Sequence, residues 1–146
     1  MKCIRKKIGL LAYDRLKQYH LNDLSELKCT SRNIKSLKGL HQIPNLKAIK
    51  LNLRNVEDIS EIYYLTSLEA LSLKEAGVID VSNIIKLFNL QYLKLEKSEI
   101  TSINKLRQLN YLNLLILKGN KLNRNLLIEN QQLIGNIFLD DNVVGI

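Results

Sequence analysis

Apolar residues return along the chain at a fixed interval. Leu24, Leu46, Leu68, Leu90, Leu112 and Ile134 stand 22 residues apart with no insertion. Three positions after each come Leu27, Ile49, Leu71, Leu93, Leu115 and Ile137, and two further on Cys29, Leu51, Leu73, Leu95, Leu117 and Leu139. Ile34, Val56, Val78, Ile100, Leu122 and Val144 follow after five more. Every one of these positions is apolar, where a composition that is 46% hydrophobic would make about half of them so. Further columns run through Leu37, Ile59, Val81 and Ile103, through Leu40, Ile62, Ile84, Leu106 and Ile128, and through Ile43, Leu65, Leu87 and Leu109. Asn125 and Gln131 interrupt them in the fifth unit.

The alternation in each unit, as in Ile49-Lys50-Leu51 and Leu93-Lys94-Leu95, predicts a short strand with one face inward. The spacing by three that follows suits 3₁₀ turns better than a long α-helix. One such unit cannot bury its apolar face alone, whereas stacked units share a continuous core. Parallel strands at ~4.8 Å then make a sheet about 24 Å wide.

The units resemble leucine-rich repeats of the 22-residue kind, similar to those of internalins and of a regulatory subunit family of protein phosphatases. Two segments carry the likeness best: Leu90-Gln91-Tyr92-Leu93-Lys94-Leu95 running on to Ser98 and Ile100, and Leu112-Asn113-Leu114-Leu115-Ile116-Leu117 running on to Asn120 and Leu122. The resemblance covers residues 24–146. It implies an α/β solenoid: a curved right-handed coil with a short-stranded parallel sheet on its concave face and a 3₁₀ or irregular convex side. The expected division is an N-terminal helical cap over 1–23 and six repeats over 24–146, starting at 24, 46, 68, 90, 112 and 134, the last incomplete. In that family an Asn after the strand satisfies backbone groups at the bend. Here Asn120 and Asn142 hold that column, while Arg32, Arg54, Ala76 and Ser98 take its other places. Buried backbone groups need partners, so these four bends are expected to rely on water or other groups, and the amino-terminal half to be looser.

Before the repeats, Ile4, Ile8, Leu11, Leu16 and Tyr19 recur at helical spacing among Lys and Arg. This reads as a helix capping the first repeat; a basic amphipathic helix on an anionic membrane or nucleic acid is the alternative. After them, the strand Asn136–Asp140 leaves an edge that Asp140 and Asp141 only partly protect. Pairing of that edge in a homodimer, or its burial by a partner, is the sharper expectation.

The outward side chain in mid-strand is in turn Lys28, Lys50, Ser72, Lys94, Ile116 and Phe138, beside Glu26, Ala48, Ala70, Tyr92, Leu114 and Asn136. The concave face thus grades from basic to apolar. Tyr92, Leu114, Ile116 and Phe138 form a group of outward apolar residues, the usual mark of a contact site, and Lys28, Lys50 and Lys94 would steer an acidic partner. A lysine row on an exposed strand is also ordinary protection against aggregation.

Composition narrows the function without naming it. The 146 residues carry 22 Lys and Arg against 14 Asp and Glu, a net charge of +8, which disfavours basic partners. Nucleic acid stays the alternative reading, through the basic N-terminal segment and the concave lysines. Against it, the concave face has only Tyr92 and Phe138 for stacking, and Glu26, Glu69, Glu75 and Glu96 lie among the lysines. His20 and His41, in the cap and on the convex side, have no nucleophile beside them, and Glu57, Asp58 and Glu61 read as a solvated charged edge. No cofactor, metal site, membrane span or catalytic residue is expected. Cys29 fills a leucine column and reads as a buried structural thiol. The basic start at Met1–Lys7 is followed by an apolar run, Ile8–Ala12, too short for a signal peptide. With two cysteines and no framework, the expectation is a reduced, cytoplasmic, non-enzymatic module that binds a partner protein through its concave face, as an inhibitor, immunity or regulatory subunit does.

Overall fold

The computed structural model describes residues 17–30, 34–54, 56, 58–77, 80–122 and 136–138. Six strands run through it: β1 Glu26–Cys29, β2 Ala48–Asn52, β3 Ala70–Lys74, β4 Tyr92–Glu96, β5 Leu114–Ile116 and β6 Asn136–Phe138. They form one sheet in chain order, and every neighbouring pair is parallel. The register repeats the sequence interval: Leu27 faces Ile49, Ile49 faces Leu71, Leu71 faces Leu93, Leu93 faces Leu115 and Leu115 faces Ile137. Like therefore stacks on like, and the hydrophobic columns of the sequence become columns in space.

Their burial follows. Leu46, Leu68, Leu71, Leu73, Leu90, Leu93, Leu95, Leu115 and Leu117 are completely enclosed. Among the described members of the columns only Ile34 is partly exposed, packed against the core from the first bend. Each fully buried Leu or Ile contributes roughly 1.5–3 kcal/mol relative to exposure, and each inner repeat obtains that burial from both of its neighbours.

The return segments are 3₁₀ turns at Leu40–Gln42, Ser60–Tyr64, Ile84–Lys86 and Asn104–Gln108. Their apolar period of three is also their hydrogen-bond period. Leu40 donates to the Leu37 carbonyl, Ile62 to Ile59, Ile84 to Val81 and Leu106 to Ile103, at 2.9–3.0 Å. The next step repeats it, with Ile43, Leu65, Leu87 and Leu109 donating to Leu40, Ile62, Ile84 and Leu106. An i→i+3 bond eclipses residues three apart, so one side of the turn is apolar and faces the sheet. Three of the four turns are entered through a short polar side chain in one column. Ser36 Oγ accepts from the Lys38 amide at 3.1 Å, and Asp58 and Asp80 accept from the Ser60 and Ser82 amides at 2.8 Å. These bonds hold both aspartate carboxyls below the usual range, the Ser60 amide leading at Asp58 and the Ser82 hydroxyl at Asp80.

The bends after the strands differ from expectation. At Asn120 the side-chain oxygen accepts from the Ser98 and Ile100 amides at 3.1 and 3.2 Å, and the amide nitrogen donates to the Leu95 carbonyl at 2.8 Å. Ser98 is buried and donates to the Glu96 carbonyl at 3.1 Å, and Ala76 is buried in the same column. Arg54 is not: its side chain is exposed and Leu53 is fully buried in its stead. The turns of the third and fourth repeats need left-handed backbone at Glu75, Gly77, Lys97 and Glu99, and the fifth at Gly119. Leu53 stays out of that region and continues the in–out alternation of β2 by one more step. Arg32 lies outside the described residues.

At the amino-terminal end a single α-helical turn, α1 (Tyr19–Asn22), precedes β1. Its buried residue is Leu21, while Tyr19, expected on the apolar face, is 60% exposed. The rest of the expected cap, with Ile4, Ile8, Leu11 and Leu16, lies outside the described residues. Asn45 Nδ2 donates to the Asn22 carbonyl at 2.7 Å and Gln18 Nε2 to the Gln42 carbonyl at 2.9 Å, tying this end to the first repeat. Asn89 repeats the first of these bonds to Thr66 at 2.9 Å. Cys29 is buried and disulfide-bonded, which corrects the reading of it as a thiol. Of the edge strand expected at Asn136–Asp140, Asn136–Phe138 is the last strand of the sheet among the described residues, and Asp140 and Asp141 lie outside them.

Candidate functional site

A parallel sheet with one side sealed by the core presents its alternate side chains on the other. The register fixes who neighbours whom there. Glu26, Ala48, Ala70, Tyr92, Leu114 and Asn136 form one row across the six strands; Lys28, Lys50, Ser72, Lys94, Ile116 and Phe138 form the next. Tyr92 thus lies directly opposite Leu114, and Ile116 directly between Lys94 and Phe138. The four apolar residues singled out in the sequence occupy three consecutive strands on one face. Phe138 is 51% exposed; Tyr92, Leu114 and Ile116 are partly buried.

The lysines divide. Lys28 and Lys50 are exposed and, among the described residues, have no ion-pair partner. Lys94 is only 24% exposed and pairs with Glu96 of its own strand at 3.1 Å, so much of its charge is matched locally. Sequence spacing could not show this, because lysine and glutamate two apart on a strand share a face but need not meet. Other acids are engaged across repeats: Glu69 with Lys47 at 2.9 Å, Glu99 with Lys121 at 3.4 Å, and Glu75 with Arg54 at 3.9 Å. The result is a face whose unmatched positive charge sits at β1 to β3, on Lys28, Lys50 and Lys74, and whose apolar group sits at β4 to β6.

Among the described residues the convex side holds no comparable grouping. His41 bonds Glu61 of the next repeat and stands edge-on to Tyr64, with ring centroids 6.4 Å apart. The hydrogen bond from His41 holds the Glu61 carboxyl below its usual range. Asp58 enters a turn, as described above, and Glu57 lies outside the described residues. The two described members of the charged edge, Asp58 and Glu61, therefore each make a separate structural contact. Tyr63 is partly buried against the core; desolvation, reinforced by Asp80 and Asp58, pushes its phenol up to about 12, so it stays protonated. Among the described residues no three His, Cys, Asp or Glu side chains gather to hold a metal ion.

A feature missed by the sequence reading is a depression of about 380 Å³ beside the strand entrances, lined by Lys47, Ser67, Glu69, Asn89, Gln91 and Tyr111. Its residues come from two columns that flank the Leu46, Leu68, Leu90 column just before the strands, polar apart from Tyr111, so no hydrophobic period marked them. It is open and lies beside the sheet rather than on the face carrying Phe138.

No family model matches the chain, and no curated protein does. Solved structures do. Internalin C2 of Listeria monocytogenes is 21% identical with a TM-score of 0.67, over 99% of this chain and 74% of that one. A leucine-rich-repeat protein of Leptospira interrogans is 25% identical with a TM-score of 0.72, over 87% of this chain. A second internalin of Listeria monocytogenes is 18% identical with a TM-score of 0.56, over 99% of this chain. The chain spans 34% of the Leptospira protein and 56% of the second internalin. The architecture is thus a leucine-rich-repeat solenoid of the internalin-like kind. Among the described residues no helix is long and apolar enough to cross a membrane.

Proposed function

We propose that this chain is a non-enzymatic binding module that receives an acidic, partly apolar surface of a partner protein on its concave face. Tyr92, Leu114, Ile116 and Phe138 supply burial at β4 to β6, and Lys28 and Lys50 steer the approach from β1 and β2. Lys94 acts less as a free cation than as one half of a pair with Glu96 that borders the apolar group. Acting this way, the module inhibits or regulates the protein it covers.

The observation that carries the reading is the adjacency of the apolar group in the register. Phe138 next to Ile116, and Leu114 next to Tyr92, make one patch rather than scattered residues. Rigid strands hold it, so little ordering entropy is lost on binding. The same adjacency weakens the nucleic-acid alternative, since each aromatic is followed across the face by an aliphatic neighbour instead of a cation.

The test is affinity capture from the source cell with the wild-type chain and with the double variant Ile116→Ser, Phe138→Ala. The expected result is a protein recovered by the wild type and lost roughly 10- to 100-fold by the variant, both chains melting alike. Charge reversal at Lys28 and Lys50 should slow association several-fold at low salt and little at high salt. Equal recovery by the double variant removes the apolar patch from the reading. Capture of nucleic acid with a steep salt dependence replaces the reading altogether.

A further inference from the structure

The depression beside the strand entrances takes no part in the concave-face reading, and its walls are built by the stack. Ser67, Asn89 and Tyr111 stand one residue before the buried Leu68, Leu90 and Leu112, and Lys47, Glu69 and Gln91 one residue after the buried Leu46, Leu68 and Leu90. The backbone at this edge is fully paired. The Lys47, Glu69 and Gln91 carbonyls each accept from two amides of the following repeat, and their own amides donate to the preceding one. Side chains alone are left to meet a ligand. Among the described residues the Ser67 hydroxyl, the Gln91 amide and the Tyr111 phenol make no hydrogen bond, and Asn89 engages only its Nδ2, on the Thr66 carbonyl. Lys47 and Glu69 pair at 2.9 Å, so the charges in the wall cancel. Tyr111, 62% exposed, is the one aromatic side chain among the lining residues.

We infer that this depression is a binding site for an uncharged saccharide, with a sugar ring laid on Tyr111 and its hydroxyls on Gln91, Asn89, Ser67 and the Lys47–Glu69 pair. Three properties of the wall select that class. Its charge is balanced, so a phosphate or an ammonium group finds equal and opposite charges side by side and gains nothing from their sum. Its polar groups are mixed: the ammonium donates, the carboxylate accepts, and amides and hydroxyls do both. Sugar hydroxyls also do both, and several of them on one ring are matched by such a set. Its aromatic ring has an electron-rich face, which suits the flat array of C–H groups on one side of a pyranose. A bound peptide would instead look for an unpaired strand edge or apolar side-chain pockets, and this edge has its backbone paired and its walls polar. The volume of about 380 Å³ lies in the range of small-molecule sites. Every lining residue adjoins a buried leucine of the stack, so the set is held in place before the ligand arrives.

The experiment titrates the full chain with maltose, cellobiose, lactose and N,N′-diacetylchitobiose, followed by saturation-transfer NMR. A ligand of this size in an open site should dissociate at about 1 mM. The expected result is saturable binding of at least one of the four, with transfer strongest to the C–H protons of one ring. Tyr111→Ala should weaken it about 10-fold, whereas Tyr111→Phe, which keeps the ring, should stay within about threefold. Gln91→Ala should weaken it several-fold. All three positions are on the surface, and unchanged melting of each variant confirms an intact stack. The double variant Ile116→Ser, Phe138→Ala should bind sugar as the wild type does, so this site and the concave face stand or fall separately. Raising the salt should leave the affinity unchanged, because the ligand carries no charge. No saturable binding of any of the four sugars at about 10 mM would overturn the proposal. So would binding indifferent to Tyr111→Ala, which places the sugar elsewhere. Tighter binding of glucose 6-phosphate than of the neutral sugars, lost at high salt, would make the depression an anion site instead.

Discussion

The second and fifth repeats are copies of one unit, and their strands agree where they face the core. Ile49 and Leu51 occupy the places of Leu115 and Leu117, all buried. They differ wherever they do not. β2 shows Ala48 and Lys50 on the open face, where β5 shows Leu114 and Ile116. After β2 the chain turns with Leu53 inward and Arg54 outside; after β5 it turns through Gly119 and buries Asn120. A stacked repeat is constrained by its two neighbours through the inward columns alone. The face and the bend are free to diverge, provided each bend finds partners for its own backbone. Two unlike solutions exist side by side in this molecule, one apolar and local, the other polar and reaching back into the preceding repeat.

The polar solution should be the harder to lose. Replacing Asn120 by Ala removes the acceptor of the Ser98 and Ile100 amides and the donor to the Leu95 carbonyl in one step. Buried groups left without partners cost about 1–3 kcal/mol each. With water relieving part of this, Asn120→Ala should destabilise by about 4 kcal/mol in chemical denaturation. A loss under about 1 kcal/mol would mean that the bend is held by something else. At the apolar bend, Leu53→Ala deletes an enclosed side chain but orphans no polar group, and the expected loss is about 3 kcal/mol. A negligible effect there would show that the alternation of β2 does not extend through residue 53.

How far the sequence foretold this follows the same division. The columns repeat because the stack requires it, so the strands, their register and the 3₁₀ turns could be read directly from the spacing of Leu and Ile. The bends could not be read from the asparagine column alone. Arg54 stands where Asn is expected, but the informative residue is its neighbour: Leu53 is apolar where Glu75, Lys97 and Gly119 stand in other repeats. That contrast was available as a signal and is what moves the turn by one residue. The Ser36, Asp58 and Asp80 column that opens the 3₁₀ turns was also visible, but polar residues on a surface carry no period of their own. The outward row could be read off the strands because strand alternation is strict. The pairing of Lys94 with Glu96 depends on side-chain geometry that no spacing encodes, as does the bonded state of Cys29.

The smallest effect is also the most discriminating, because it runs in opposite directions at two positions of one column. The third and fourth repeats make the same bend, with left-handed backbone at Glu75 and Gly77 in one and at Lys97 and Glu99 in the other. An asparagine at 98 would therefore find behind it the Ala76 amide and the Leu73 carbonyl, placed as those of Ser98 and Leu95 are placed for Asn120. Ser98→Asn should extend the polar ladder by one rung and stabilise by about 1 kcal/mol, net of the Ser98 bond to Glu96 that it gives up. Ala76→Asn enters the same column one repeat earlier, but behind it lies the shifted bend, with Arg54 outside and its amide directed to Asn52 Oδ1 at 3.4 Å. There the new side chain meets no matching amides and buries polar atoms without partners, so this variant should lose about 2 kcal/mol. If both substitutions stabilise, the two bends are interchangeable. If both destabilise, the column tolerates asparagine only at 120, and the ladder is a property of the fifth repeat rather than of the repeating unit.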